Sequence, residues 1–425
     1  MSRRAVAFAM AATATFTLTA SVARSPREYR AVGQIAAAAW PYVPGSVLTV
    51  RVAGFPAPYH LALAGIGNLR AGGTYAVADS SPAGTATLVA GNAGGLAARE
   101  LRIAAPPPAG RAFLAVASYD DGVVFHDAAN LSVIGILATG GTPSDVAIDR
   151  DGRLAATDTQ GTAITVAALS PWTVSRVEGA PVGDEIAFDD SNGAVFVTDR
   201  DLHGNGALTR ITRAGNVTHV ATGATAEGLA IDPKRGIVYV ANVNDGTIAV
   251  VDARSMRIRR RFHAIDRVFS LALSPDGSRL YAISNQSAGS PFAAPGAAVA
   301  IDLRRSPPRV VARSAELTFP VGVVLDAGAG RLFVTDEARD VVDVLDARTL
   351  RQKHAPLATC RTPWQPALDP SRHRLLVPCA RADEIDAFDT RTLRRIAGAP
   401  FATGSYPLAL TVWQPHRAAN GSAVR

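Results

Sequence analysis

From residue 111 onward the apolar positions fall in short runs, each broken after a few residues by Asp, Asn, Gly or a polar pair, as short β-strands separated by turns require. The runs recur. An apolar strand that usually ends in Asp and turns appears as SDVAIDRDG (144 to 152), DEIAFDDSNG (184 to 193), EGLAIDPKRG (227 to 236), FSLALSPDG (269 to 277), VGVVLDAGAG (321 to 330) and QPALDPSRH (365 to 373), and once more without its turn as YPLALTV (406 to 412). The spacing between them is about 40 to 52 residues, a period characteristic of repeat architectures. Second strands follow as RLAATD, AVFVTD, IVYVAN, RLYAIS, RLFVTD and RLLVPC, and third and fourth strands come after these, as in TIAVVD and RIRRRF.

Four strands in about 40 residues form a sheet too small to bury both faces alone. The second strands are apolar on both faces, so each sheet must lie between neighbours, and radial packing about an axis satisfies this. The pattern predicts a β-propeller. RAFLAVASYDDGVVFHDAANLSVIGILATG (111 to 140) supplies second, third and fourth strands without a first, and YPLALTV supplies a first without successors. Joined, they complete a seventh blade from both ends of the array.

The segments YVAN (239 to 242) and FVTD (196 to 199 and 333 to 336), each followed by a turn and a strand of V-x-V-x-D type, resemble the YVTN repeats of exported bacterial β-propellers. The resemblance covers about 112 to 413 and implies a fold more than an activity, because propellers carry many unrelated functions. The long turn DRDLHGNGAL and the insertion NQSAGSPFAAPGAA (285 to 298) depart from the short family pattern.

Upstream, short apolar runs between 46 and 105 predict a small immunoglobulin-like β-sandwich. The expected division is a signal peptide at 1–23, a lead segment at 24–45, the sandwich at 46–105, a Pro-rich linker PPPAG at 106–110, the seven-bladed propeller at 111–413 and a tail at 414–425. The fold class is all-β. Arg3 and Arg4 before an apolar run that ends in Ser21-Val22-Ala23 predict secretory cleavage after Ala23. No later segment is long and apolar enough to span a bilayer, which places the mature protein in the periplasm or outside the cell.

Composition adds three points. The chain is 48% hydrophobic and 19% charged, with 37 glycines and 27 prolines, which excludes broad disorder. Its net charge of +7 comes almost wholly from arginine spread thinly along the sequence, so no nucleic acid partner is expected; the densest run, Arg257 to Phe262, suits an exposed edge strand. The only cysteines, Cys360 and Cys379, fall at the same end of a predicted hairpin and are expected to form a disulfide rather than a reactive thiol.

In a blade whose strands run from the inside outward, the loops entering the first strand and those joining second to third share one face, where ligand sites belong. That face carries Trp364, Arg361, Tyr406, Phe319 and Arg267 as candidate binding residues, with His263 nearby. The second strands end at Ser118, Asp158, Asp199, Asn242, Asn285, Asp336 and Cys379. Recurring carboxylates and amides there suit either turn capping or Ca²⁺. Glu185 and Glu227 start two adjacent first strands, and with Asp199 and Asn242 they would form the metal set of a lactonase-like hydrolase; the other reading is solvated residues at strand starts. The expected function is a non-catalytic binding or scaffold protein, monomeric and without cofactor, whose partner is a protein, peptide or cell-envelope ligand. The alternative is the metal-dependent lactonase, with a divalent ion such as Ca²⁺. A self-associating surface protein is a third class.

Overall fold

The computed structural model describes residues 34–35, 40–49, 52–53, 60–63, 70–71, 74–92, 95–180, 183–199, 206–285 and 295–415. The expected signal peptide, nearly all of the tail and most of both long insertions lie outside these residues. The chain divides into two compact units, one built from residues up to Pro107 together with Ile134–Gly140, the other from Pro108–Val133 and Gly141 onward.

In the first unit, Arg70–Ala71, His60–Leu63, Gly84–Asn92 and Gly95–Ile103 pair in that order, and Val47–Thr49 pairs with Thr74–Ala76. Gln34–Ile35 pairs with Val52–Ala53. The first of these strands, Gln34–Ile35, falls within the segment expected as a lead.

Among the described residues, seven four-stranded antiparallel sheets run from Phe113 to Trp413. The first joins Val133–Leu137, Gly122–Asp127, Phe113–Ser118 and, innermost, Pro407–Trp413. The other six follow in chain order, with innermost strands Val146–Ile148, Gly183–Asp189, Ala226–Asp232, Val268–Leu273, Pro320–Asp326 and Ala367–Asp369. Each innermost strand touches that of the next sheet, and Pro407–Trp413 touches both Ala367–Asp369 and Val146–Ile148, so the cycle closes. The all-β chain carries a β-propeller.

Burial follows position in the sheet. Second strands such as Ala194–Asp199 and Arg331–Asp336 are buried nearly throughout, whereas outermost strands such as Ile258–His263 and Gln352–Ala358 are mostly exposed. Apolar character on both faces of the second strand therefore means packing between sheets, as in the cluster joining Tyr281, Ile283 and Ala298 of the fifth sheet to Val323, Leu332 and Val334 of the sixth.

The turns repeat as well. Third strands ending in Asp lead into DAANL, DARSM, DARTL and DTRTL, where Leu131, Met256, Leu350 and Leu393 adopt left-handed φ of 62°, 56°, 55° and 58°. In each, this residue's N–H donates to the carbonyl of the Asp, at 2.7 to 2.9 Å. A left-handed Leu or Met is strained by about 1 kcal/mol, which burial of a side chain such as Leu350 (0% exposed) more than offsets.

Arginine joins the sheets. Arg153 donates to the Gly193 carbonyl, Arg210 to Ala253 and Arg254, Arg235 to Gly277, Arg279 to Ala347, Arg331 to Thr390, and Arg374 to Ala128 and Ala129. Each bond runs to the following sheet, and the last returns to the first. A forked, always-charged donor suits paired carbonyls at such seams better than lysine does.

Candidate functional site at the channel mouth

The innermost strands begin on the loop face, and five of them begin with a register shift: between Gly183 and Ile186, Ala226 and Leu229, Val268 and Ser270, Pro320 and Gly322, and Pro407 and Ala409. Such bulges re-aim side chains and leave ladder amides without partners. Second-strand threonines meet part of this need, for Thr157 Oγ1 accepts from the N–H groups of Ser144 and Asp145, and Thr198 Oγ1 from that of Glu185, all at 3.0 Å. The Thr of each TD pair thus has a structural role at the mouth.

Carboxylates meet the rest by reaching one sheet onward. Asp145 Oδ2 accepts from Ile186 N at 2.9 Å, and Glu185 Oε2 accepts from Leu229 N at 2.8 Å. Glu185 Oε1 also accepts from Gln365 Nε2 at 2.8 Å, and the Gln365 amide lies 3.4 Å from Ser270 Oγ. These side chains belong to the third, seventh and fifth sheets, so this bridge crosses the axis and floors the mouth.

At the strand starts, Ser144, Asp184 and Glu227 stand on the second, third and fourth sheets, while Phe269, Val321, Trp364 and Leu408 stand on the fifth, sixth, seventh and first. Phe269, Val321 and Val243 form a small buried cluster against which Phe319 and Trp364 pack, both of them still partly exposed. At two steps the inner strands approach too closely for a side chain: a Cβ on Gly228 would sit 2.4 Å from the Phe269 carbonyl oxygen, and one on Gly322 would sit 2.5 Å from Pro366 Cδ.

Burial and like charge raise the carboxyls. Asp145 is pushed up to about 7, chiefly by desolvation, with Asp184 adding repulsion against its two backbone hydrogen bonds. Glu185 is held well above the usual carboxylate range by desolvation first, then by Asp145 and Asp184. Both keep some solvent contact but lie deep among surrounding atoms.

The five residues expected to form a binding face do not form one cluster. Phe319 and Trp364 share the aromatic patch. Tyr406 lies edge-on to Tyr119, with ring centroids 6.1 Å apart, and its N–H donates to Asp383. Arg267 is half-buried with a left-handed φ of 52°, and Arg361 is exposed.

For the metal alternative, no group of three or more His, Cys, Asp or Glu side chains among the described residues is arranged to hold a metal, so Glu185, Glu227 and Asp199 do not make one. Glu227 is buried, and Asn242 donates its side-chain amide to the Thr222 carbonyl and the Thr247 hydroxyl. Turn capping accounts for two of the residues ending the second strands: Asp336 accepts from Thr318 N and Phe319 N, and Asp158 from Thr142 N and Gln160 N. In the fifth sheet the register places Ser284, not Asn285, opposite the strand start. In the seventh, Cys379 holds the place of Asp336 and forms the expected disulfide with Cys360, Cα–Cα 5.7 Å. The covalent bond secures the entering loop where other sheets use hydrogen bonds.

Asp145, Ser270 and Gln365 were not among the candidates. Their only trace in the sequence is alignment with Glu185 one residue after the rim position. At Ser270 a bulge obscures that alignment.

No family model matches the chain. It is 28% identical over 149 residues to the uncharacterised protein YncE of Salmonella typhimurium, a match spanning 34% of this chain and 42% of the relative, and equally so to YncE of Salmonella typhi. The chain thus spans less than half the length of the curated relatives it matches. Among solved structures it is similar to the periplasmic gluconolactonase PpgL of Pseudomonas aeruginosa (14% identity, TM-score 0.59, 72% of this chain and 99% of that one). It is likewise similar to a putative 6-phosphogluconolactonase from Bacteroides fragilis (12%, 0.59, 72% and 98%) and a functionally unknown protein from Desulfotomaculum acetoxidans (16%, 0.58, 72% and 99%). At these identities the likeness is one of fold, and the fold shared with these chains is the β-propeller.

Proposed function

We propose that this is an exported, seven-bladed propeller of YVTN type, preceded by a small immunoglobulin-like sandwich, that binds a ligand non-catalytically at the mouth of its channel. The observation that carries the reading is the mouth itself: a hydrogen-bonded polar floor beneath a rim that is polar on one side and aromatic on the other. The carboxylates nearest the axis hold backbone amides, which suits a rigid receptor surface. The leader-like N-terminus supports export, and no helix among the described residues is long and apolar enough to cross a membrane.

The test is capture from envelope extracts on immobilised protein, comparing Trp364→Ala/Phe319→Ala with Arg260→Ala on an outermost strand. Loss of a specific captured species in the first variant alone, both variants melting as the parent does, supports binding at the mouth. Equal capture by all three sinks it.

A second reading, lactone hydrolysis, draws on the names of two structural neighbours and on Asp145, whose proton exchanges near neutrality as a general base requires. Turnover of a sugar lactone that disappears in Asp145→Asn would favour it.

A further inference from the structure

We infer that the outer rim of the fourth and fifth sheets docks on an anionic lipid surface. The outermost strands Ile258–His263 and Arg309–Arg313, with the turns that lead into them, span ARSMRIRRRF (253 to 262) and LRRSPPRVVAR (303 to 313), which hold nine arginines and no acidic residue. Neither strand is paired on its outer side among the described residues. This surface is independent of the mouth.

The two stretches form one patch. Arg260 donates to Ser306 Oγ at 3.2 Å across the seam, and Phe262 and Leu303 pack on the core that the two sheets share. Residues opposite one another on neighbouring strands lie on the same face of a sheet. Val310 is opposite Ile301, Arg313 opposite Val299 and Arg260 opposite Val250, and all three partners belong to that shared core, so Val310, Arg313 and Arg260 turn toward the seam. A register shift between Ala300 and Ile301 makes Val311 an extra residue in the ladder, set beside Val310. The two valines are 43% and 45% exposed, and among the described residues they are the large apolar side chains that stand exposed.

The positive charge is open to a partner. Asp252 is held by Arg259, Asp302 by Arg304 and Arg305, and Asp276, which also acts on Arg304, by Ser274 and Ser278. Arg261 donates to the Thr222 and Ala221 carbonyls. Arg257, Arg309 and Arg313 are exposed and form no ion pair among the described residues.

Protection of a strand edge does not account for this composition. Arginine guards an edge and a bulge blunts one, but two exposed valines in the middle of it work against both. A soluble polyanion would use the arginines and leave the valines in water. A lipid surface with negative headgroups uses both, because guanidinium forks match phosphate oxygens and apolar side chains enter the boundary between headgroup and acyl chain. The sixth and seventh sheets carry exposed Arg348, Arg351 and Arg394 without an exposed large apolar side chain, which places the docking surface at the fourth and fifth.

The experiment is co-sedimentation of the chain from Arg24 onward, which keeps every described residue, with vesicles of phosphatidylglycerol and phosphatidylcholine in equal parts and with vesicles of phosphatidylcholine alone. An arginine brought against an anionic bilayer strengthens binding about fivefold, so Arg257→Ser/Arg309→Ser/Arg313→Ser should weaken sedimentation with the mixed vesicles by about tenfold or more. Val310→Ser/Val311→Ser should weaken it by about threefold or more. Arg348→Ser/Arg351→Ser/Arg394→Ser removes the same charge elsewhere and should change it by less than about twofold, since salt screens charges that do not touch the surface. Thermal midpoints confirm that each variant is folded. Absence of binding to the mixed vesicles, equal binding to phosphatidylcholine alone, or equal loss in the two arginine variants would each overturn the inference. Tight binding of soluble polyphosphate, together with a valine variant that binds vesicles as the parent does, would also overturn it and assign the patch to a soluble polyanion.

Discussion

Two buried titratable residues pull stability in opposite directions with pH. The His126 ring donates Nδ1–H to the Leu131 carbonyl and accepts the Thr403 hydroxyl at Nε2, each at 2.8 Å, and burial lowers its pKa to about 4. Between 6.5 and 4 the unfolded chain takes a proton that the fold refuses, so stability falls as pH drops. Asp145 behaves oppositely: its folded pKa of about 7 lies above its ordinary value, so its contribution is fullest in acid and is lost as pH rises from about 4 to about 7. Thermal midpoints of Asp145→Asn against the parent should show the difference shifting in the variant's favour as pH rises across that window. A constant difference would mean that Asp145 does not titrate there. His126→Gln should flatten the acid limb between 6.5 and 4. Gly228→Ala should cost about 3 kcal/mol or more in denaturant unfolding, since its methyl group would overlap the backbone of the neighbouring inner strand.

The seventh sheet shows what its disulfide replaces. Cys360→Ser should lower stability by about 3 kcal/mol, as expected for opening a loop of this length, and should loosen the segment carrying Trp364 and Gln365, read as a change in tryptophan emission. At this scale the sequence was most informative. Short apolar runs, Asp-terminated turns and their recurrence at about 40 to 52 residues made the sheets and their order legible, and the pairing of Phe113–Ser118 with Pro407–Trp413 followed from a missing first strand at one end of the array and a spare one at the other. The mouth was less legible. A bulge adds one residue at the start of five of the inner strands, so Ser270 is out of step with the apolar pattern that reveals the strands, and a bridge from Glu185 to Gln365 joins positions 180 residues apart. The aromatic patch was legible only in part: Phe319 and Trp364 stand out in an aromatic-poor chain, whereas Phe269 reads as one more strand residue.

For the whole molecule, the arginine seams act together. Arg331→Lys removes a forked donor from one junction and should cost about 1 kcal/mol; the same change at Arg279, Arg331 and Arg374 should lower the thermal midpoint roughly additively, because the three bonds share no partner. The strand Pro407–Trp413 has a further consequence. Its partner Phe113–Ser118 lies almost 300 residues earlier, so the contact that closes the ring is also among the most remote in sequence. Contacts of such range slow folding, and until this one forms the array has two open ends with unpaired backbone. The emerging polypeptide therefore passes through a long interval in which it is nearly complete yet adhesive, and the last strand to arrive ends that interval.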